Sequence, residues 1–244
     1  GLNSQSWFIP GIIYNFGMGF YALMIGIGAS IGLWRFYQHA PLEQRSEYLN
    51  DGLLVQFSIL IGSRLGYVIQ YWHYFQNVRR EIFLLENGGL TLWGAIAGGF
   101  LGFIIVLLIS ERQTFQIADA ISPMLAPMTI FIWLASWRMG VAYGEIAPFD
   151  IWWALPTMDE FGNLMYRFPL QVAAAVATVL PFMWLETVKP FNGIVGMQAA
   201  VSILVLGGVL CLFMIQRADP SLMIWNRSPA MLSSGILLGI GILS

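Results

Sequence analysis

Long apolar segments follow one another along almost the whole of this chain of 244 residues. An α-helix needs about 20 mostly apolar residues to cross the hydrocarbon core of a bilayer. Because the backbone groups of a segment in lipid must be hydrogen-bonded within that segment, each stretch is predicted to be a helix. The sequence therefore predicts an all-α integral membrane protein, a bundle of about seven transmembrane helices. The predicted spans lie near residues 13–36, 53–75, 90–110, 117–143, 168–188, 194–216 and 229–244, and the last is the shortest.

The composition agrees with a membrane protein and excludes several other classes. Hydrophobic residues make up 58% of the chain and charged residues 10%, whereas soluble domains carry about 25% charged residues. No basic patch suited to nucleic acid is evident in the sequence, so nucleic-acid binding is excluded. Cys211 is the only cysteine, so neither an internal disulfide nor a cysteine-based metal site is expected. One membrane domain, residues 1–244, accounts for the chain, with no metal.

Arg64 lies in the middle of the second predicted span, in the segment Gly62–Tyr67. A lone arginine at the centre of a transmembrane helix costs about 2.5–3.5 kcal/mol to insert. The small residues on either side of it would let another helix approach closely, so we expect Arg64 to face the interior of the bundle and to find a partner there. A structural ion pair and a functional site are both open for it.

Several polar residues are expected to meet at one membrane face. Arg138 and Glu145 are seven residues apart near the end of the fourth predicted span, which places them on nearly the same face if the helix continues that far. If the helix ends at Gly140, Glu145 is a loop residue. Because consecutive spans are antiparallel, the residues expected at this face are Arg64, Tyr67, Gly88, Gly89, Arg138, Glu145, Arg167, Arg217 and Asp219.

Arginines beside glycine-rich helix ends suit the recognition of a phosphate group. Guanidinium groups pair bidentately with phosphate oxygens, and helix N-termini favour anions. A phospholipid headgroup is the phosphate that a membrane protein meets at this depth. The alternative is that interfacial arginines only extend to the membrane surface or hold lipid without specificity.

The order and spacing of several short motifs resemble the prolipoprotein diacylglyceryl transferase family over nearly the whole chain. These motifs are Phe20–Met24, Gly62–Tyr67, Gly88–Gly94, Phe115–Asp119, Arg138–Gly140, Gly144–Glu145, Arg167–Gln171 and Arg217–Pro220. The family moves a diacylglyceryl group from phosphatidylglycerol to the cysteine thiol of a lipoprotein precursor. The resemblance implies the family's seven-helix fold in the bacterial cytoplasmic membrane, with its site on the outer face.

The resemblance also implies roles for individual residues. The implied catalytic set is Glu145, Arg138, Arg217 and Tyr21. The implied binding set for the lipid phosphate is Arg138, Arg217, Arg64, Gly88, Gly89 and Gly94. Phosphatidylglycerol, as substrate or as bound lipid, stands in place of a cofactor. The implied partners are membrane phospholipid and a lipoprotein precursor.

The chain departs from the family pattern at positions that matter for the chemistry. Trp93 stands where the family has a histidine, and a tryptophan ring can neither accept a proton nor carry a charge. Val141 stands where an asparagine is expected. A cysteine thiol, with a pKa of about 8.5, must lose its proton before it attacks. Glu145 or Tyr21 would have to assist in place of the histidine.

Three functions are compatible with these features. The first is an active, divergent transferase, for which the retained arginines argue. The second is a catalytically degenerate homologue that serves as a structural or assembly subunit of a larger membrane complex, with other subunits as partners; the loss of several polar residues together argues for it. The third is a transporter with a site at the membrane midplane, which we disfavour because the polar residues gather at one face and no inverted repeat is evident.

Overall fold

A computed structural model describes residues 8–84, 89–110, 113–148, 151–158, 163–190, 193–219 and 229–243, with side chains of the first helix described from residue 19. The α-helices of these residues are α1 Phe8–His39, α2 Arg45–Gln70, α3 Trp72–Phe75, α4 Leu92–Ile109, α5 Thr114–Met139, α6 Leu170–Val188, α7 Met197–Ile215 and α8 Pro229–Leu243. Two 3₁₀ helices, Leu42–Gln44 and Arg79–Phe83, and two antiparallel strands, β1 Leu155–Met158 and β2 Leu164–Arg167, lie between them.

Six of the described helical segments are long and apolar enough to cross a membrane, which confirms the predicted all-α integral membrane fold. They are Gly19–His39, Leu42–Gln70, Leu92–Ile109, Thr114–Met139, Leu170–Val188 and Met197–Ile215. The seventh predicted span corresponds to α8, which has 15 residues. α8 is thus a short apolar helix packed along α7.

The second predicted span, residues 53–75, has different bounds in the structure. α2 begins at Arg45 and ends at Gln70, so part of the predicted loop before it is helical. Tyr71 leaves the helical region with φ −113° and ψ 32°, and the chain then forms the short α3. The prediction missed this break because an unbroken apolar run does not show where a helix changes direction.

α5 ends earlier than the fourth predicted span, residues 117–143. Gly140 follows its last residue in the left-handed conformation, with φ 67° and ψ 34°, which glycine adopts without steric cost. Glu145 consequently lies in the loop beyond the cap and does not continue the helical face of Arg138. Of the two alternatives for Glu145, the structure has the loop.

α2 and α4 cross at very short distance because glycines face one another. A Cβ atom added to Gly62 would lie 2.5 Å from the carbonyl oxygen of Gly94, and one added to Gly98 would lie 2.2 Å from that of Ser58. Small residues that let two backbones approach are a common basis of helix association in membranes. The crossing fixes the start of α4 against the end of α2.

Two buried apolar clusters lie along α5. The first contains Met124 and the second Trp133, so α5 runs through both. The first cluster also contains Phe36, Ala40, Tyr48, Val55, Val106, Ile117 and Ile121. The second also contains Ala142, Leu170, Ala174, Ala175, Leu206, Leu210, Phe213, Met214 and Leu237. The second cluster supports the end of the bundle where α2, α5 and α7 end and α4 and α6 begin, which we call the Arg138 end.

Asp119 closes the opposite end of the bundle, which we call the Asp119 end. Its carboxylate accepts hydrogen bonds from the backbone N–H groups of Gly196, at 2.6 Å, and Ala199, at 2.8 Å. These N–H groups belong to the first turn of α7, whose positive end favours a carboxylate. A side chain of α5 therefore caps α7.

Candidate functional site

The loop after α5, residues Val141–Glu145, is held by the start of α6. The N–H of Val141 donates to the carbonyl oxygen of Ser136 at 3.1 Å. Its carbonyl oxygen accepts a hydrogen bond of 2.9 Å from Nε2 of Gln171, a fully buried side chain. A buried amide at this point fixes the direction in which the chain leaves α5.

The segment that follows α7 is joined to the same loop. The N–H of Ala142 donates to Oδ2 of Asp219 at 3.2 Å, and the N–H of Ala218 donates to the carbonyl oxygen of Tyr143 at 2.9 Å. Asp219 also forms a bidentate ion pair with Arg217, in which Nε and Oδ1 are 2.7 Å apart. The structure thus brings Arg217 and Asp219 against the loop that begins three residues after Arg138.

Arg138 and Glu145 are both exposed in this arrangement. Arg138 forms no hydrogen bond or ion pair with any described residue. Glu145 accepts the N–H of Phe168 at 3.0 Å through its carbonyl oxygen, while its carboxylate has no partner in the described ranges. The loop therefore presents one guanidinium and one carboxylate to an external group.

Arg167 lies behind the loop at the end of β2. Its side chain is buried, and its guanidinium carbon lies 4.1 Å from the centroid of the Tyr143 ring. Its backbone pairs with Leu155 of β1 on one side and with Ile146 on the other. This small sheet is the only exception to the all-α fold among the described residues, and it anchors the far end of the loop.

Arg64 is buried in the bundle, as expected, but its partners include main-chain carbonyl groups of the connection between α3 and α4. The distances are 2.9 Å from Nε to Ile82, 2.5 Å and 3.1 Å from Nη2 to Glu81 and Leu84, and 3.2 Å from Nη1 to Gly89. These bonds use four of the five N–H groups of a guanidinium. Arg64 therefore has at most one N–H to offer a lipid phosphate, and its role there stays a prediction.

The glycines of the predicted phosphate-binding set lie close to protein atoms. Gly89 has φ 79° and lies beside Tyr67 and Arg64, and Gly94 lies in the crossing of α2 and α4. Gly88 is outside the described residues. Both described glycines are explained by chain direction and close packing, and their part in lipid binding stays a prediction.

Trp93, at the position of the family's histidine, lies in the first turn of α4. Its Nε1–H donates to Oε1 of Gln70, the last residue of α2, at 3.2 Å. The ring also lies close to Gly66. Trp93 thus links the ends of two helices and offers no basic nitrogen to a substrate.

Tyr21, the fourth member of the predicted catalytic set, lies on α1 and is half-buried. α1 packs along α5, and no hydrogen bond of the Tyr21 hydroxyl to a described residue is present. Its predicted role is untested by this geometry.

Two polar residues that support the site were not in the predicted set. Gln171 lies inside the motif Arg167–Gln171, and a glutamine in the first turn of an apolar helix was the signal for it. Gln70 carried no signal beyond being a polar residue at the end of an apolar run. Among the described residues no group of three metal-ligating side chains comes together.

Comparison with known proteins adds a family to this geometry. The chain matches the family model described as prolipoprotein diacylglyceryl transferase over residues 11–244. Three similar proteins, each named phosphatidylglycerol–prolipoprotein diacylglyceryl transferase, come from Clostridium botulinum, Streptococcus uberis and Methylobacillus flagellatus. Their identities are 31% over 111 residues, 26% over 176 residues and 28% over 198 residues. The matches cover 45%, 68% and 72% of this chain and 44%, 66% and 70% of those proteins, so the chain spans from less than half to about two thirds of the length of these relatives.

Proposed function

Because this chain belongs to the prolipoprotein diacylglyceryl transferase family, we propose that it transfers a diacylglyceryl group from phosphatidylglycerol to the cysteine thiol of a lipoprotein precursor. The observation that carries the proposal is Arg138, an exposed guanidinium without a partner among the described residues, at the end of the bundle where Arg217 and Glu145 also lie. A free guanidinium at a membrane face suits a phosphodiester.

In the proposed reaction, the thiol sulfur forms a bond to the glyceryl carbon that carries the phosphate ester. The bond between this carbon and the ester oxygen breaks, and glycerol phosphate leaves with the electron pair. Arg138 would pair with the phosphate and stabilise the charge that develops on the leaving group. Arg217 donates two N–H groups to Asp219 and one to the sulfur of Met214, which leaves two of its five for the phosphate.

The thiol proton needs an acceptor, and Trp93 cannot supply one. Glu145 is the candidate, directly or through a water molecule, because its carboxylate is exposed on the same loop. A carboxylate is a weaker base than an imidazole, so neighbouring cations would have to lower the pKa of the substrate thiol. This requirement links Glu145 to the two arginines.

The proposal includes a location. We place the chain in the bacterial cytoplasmic membrane as a multi-pass protein, with its Arg138 end toward the outer face. Phosphatidylglycerol would reach the site laterally from the bilayer, and the lipoprotein precursor is the second substrate.

A complementation experiment tests this function. The chain is expressed in bacteria depleted of their own diacylglyceryl transferase, and growth and lipoprotein lipidation are followed. We expect rescue by the unaltered chain, loss of rescue with Arg138→Gln, and retention with Lys189→Gln. The last variant is a matched control because Lys189 is also an exposed cation but lies at the Asp119 end. A well-expressed chain that neither rescues growth nor transfers lipid in isolated membranes would contradict the proposal.

Trp93 favours a second candidate, a catalytically degenerate homologue that acts as a structural or assembly subunit. Its ring N–H donates a hydrogen bond to Gln70, so the residue at the position of the family's histidine here links two helices. This candidate predicts no transfer activity, no gain with Trp93→His, and co-purification of the chain with a membrane complex in fixed stoichiometry. Transfer activity in the unaltered chain would exclude it.

A further inference from the structure

The segment between α2 and α4, residues 71–84, extends from the bundle at the Arg138 end; we call it the arm. It contains α3 and the 3₁₀ helix Arg79–Phe83. Phe75 is its buried anchor, and Arg64 holds the carbonyl groups at its far end. The arm is thus attached at two points, while most of its side chains are exposed.

The exposed side chains of the arm include several aromatic rings. Tyr71, Trp72, Tyr74 and Phe83 are 40%, 55%, 51% and 84% exposed. The arm directly follows one membrane-crossing helix and leads toward the next, so it lies at the level of the bilayer interface. Tyrosine and tryptophan prefer this level because their rings combine an apolar body with a polar group.

Two cations lie on the same arm. Arg79 and Arg80 are exposed and make no side-chain hydrogen bond or ion pair within the described part of the chain. With Gln76, Asn77 and Val78 they line an open groove of about 380 Å³. Glu81 is the only acidic residue among residues 71–84, and its carboxylate already accepts the Tyr74 hydroxyl at 2.5 Å. The positive charge of the two arginines is therefore available to an external anion.

We propose that the groove at Arg79 and Arg80 binds the headgroup of an anionic phospholipid, and that the arm is a lipid-binding site formed by residues other than those of the Arg138 loop. The two guanidinium groups match the phosphodiester, and their charge favours a headgroup with net negative charge over a zwitterionic one. The aromatic rings place the groove at the depth of the headgroups. This inference goes beyond the proposed transfer reaction, since it concerns binding alone.

The way in which the arm is anchored supports a formed site. Arg64 holds residues 81, 82 and 84, and Phe75 packs near the same guanidinium, whose carbon lies 5.5 Å from the ring centroid. Gln70, next to the start of the arm, accepts the Trp93 indole. A lipid bound at the arm would therefore meet a surface that is already ordered, and it would lie beside the helix end that carries Trp93.

The sequence permits a single fluorescent label in the groove. Cys211 is the only cysteine, so Cys211→Ser combined with Asn77→Cys gives one thiol for a bimane dye. The labelled protein is reconstituted in phosphatidylcholine vesicles that contain increasing fractions of a lipid with a 5-doxyl quencher, either phosphatidylglycerol or phosphatidylcholine. The mole fraction that gives half-maximal quenching measures the preference for each headgroup.

We expect phosphatidylglycerol to quench at a mole fraction at least about fivefold lower than phosphatidylcholine, since each arginine near an anionic surface contributes about that factor. Arg79→Gln with Arg80→Gln should bring the ratio to about one, and the double lysine variant should keep much of it. Arg138→Gln should leave it unchanged. Native mass spectra are recorded without the label, on protein that keeps Cys211 and Asn77. If they show the same lipid preference, the loss in the arginine variants is a binding defect and not damage by the label.

Four results would overturn the inference. Equal quenching by the two lipids would show that the groove does not select charge. A preference that survives the double glutamine variant, or that disappears with Arg138→Gln, would place the lipid elsewhere. Displacement of the lipid by millimolar inorganic phosphate, beyond the effect of chloride at equal ionic strength, would identify a site for a soluble anion.

Discussion

Arg64 and Arg138 are both arginines near the same membrane face, and the structure treats them in opposite ways. Arg64 is buried and donates four hydrogen bonds to the main-chain carbonyl groups of residues 81, 82, 84 and 89. Arg138 is exposed at the end of α5 and has no partner in the described residues. The resemblance to the family implied a lipid-phosphate role for both.

The difference shows that the role of an arginine in a membrane protein depends on how many of its N–H groups are not already hydrogen-bonded within the fold. An arginine whose donors are already bonded in the folded chain stabilises that fold. An arginine whose donors are unbonded retains its capacity for a ligand. Substitution at Arg64 should therefore change stability first, and substitution at Arg138 should change activity first.

The largest expected effect is on stability, from Arg64→Met. The variant keeps much of the side-chain volume but leaves the carbonyl groups of residues 81, 82, 84 and 89 without this donor. We expect a loss of about 3–5 kcal/mol in the free energy of unfolding. The loss for Arg64→Lys should be smaller than for Arg64→Met but not zero, because one ammonium group cannot reach all the carbonyl groups that the planar guanidinium reaches. Denaturant titration of the purified protein in detergent measures both.

The matched control for this experiment is Arg138→Met. Because Arg138 is exposed and forms no hydrogen bond or ion pair with a described residue, the free energy of unfolding of this variant should stay within about 0.5 kcal/mol of the unaltered protein. Equal losses in the free energy of unfolding at the two positions would show that the number of hydrogen-bonded N–H groups does not distinguish Arg64 from Arg138.

A smaller effect is expected at Asp219, which supports the Arg138 region. Asp219→Asn keeps an oxygen for the N–H of Ala142 but removes the charge that holds Arg217. Replacing a charged acceptor with a neutral one costs about 1 kcal/mol, so we expect about a fivefold loss of transfer rate. The readout is transfer of labelled diacylglyceryl in membranes, with KM for phosphatidylglycerol determined separately from kcat.

The contrary result for Asp219 is also informative. A rise in KM with little change in stability is expected if Asp219 positions Arg217 for the phosphate. If Asp219→Asn lowers stability and leaves the kinetic constants unchanged, Asp219 serves only to attach the segment after α7 to the loop.

The spans could be predicted from sequence because apolar length has one dominant explanation in a membrane. The direction of the chain at their ends could not. Gly140 ends α5 by a left-handed conformation, and Tyr71 ends α2 with no glycine or proline at that position. Such breaks depend on contacts with other helices, which a single apolar run does not encode.

The grouping of candidate residues at one end of the bundle was predictable, and their hydrogen-bond partners were less so. Antiparallel helices place Arg138 and Arg217 at one end of the bundle by topology alone. Whether the N–H groups of a guanidinium are hydrogen-bonded or free depends on where a connection places carbonyl groups such as those of residues 81, 82, 84 and 89, and a sequence pattern does not fix this. Arg64 is an example, because its partners are main-chain carbonyl groups. Every amino acid has one, so the sequence does not indicate which residues will accept these hydrogen bonds.

The smallest expected effect is at Tyr74, whose exposed hydroxyl donates to Glu81 on the same arm that Arg64 holds. The hydrogen bond to the Glu81 carboxylate is the main reason that the pKa of Tyr74 is raised above its ordinary value of 10.0. Since folding favours the neutral phenol, the small stabilisation from this exposed contact is present below pH 10 and is lost as the pH rises through the raised pKa. Titration by absorbance at 295 nm should show that Tyr74→Phe removes a tyrosine that ionises late, with no measurable change in unfolding at neutral pH. A clear loss of stability at neutral pH would mean that this exposed hydrogen bond holds the arm as the bonds of Arg64 do. The difference between buried and exposed hydrogen-bond donors would then no longer explain which residues stabilise this end of the bundle.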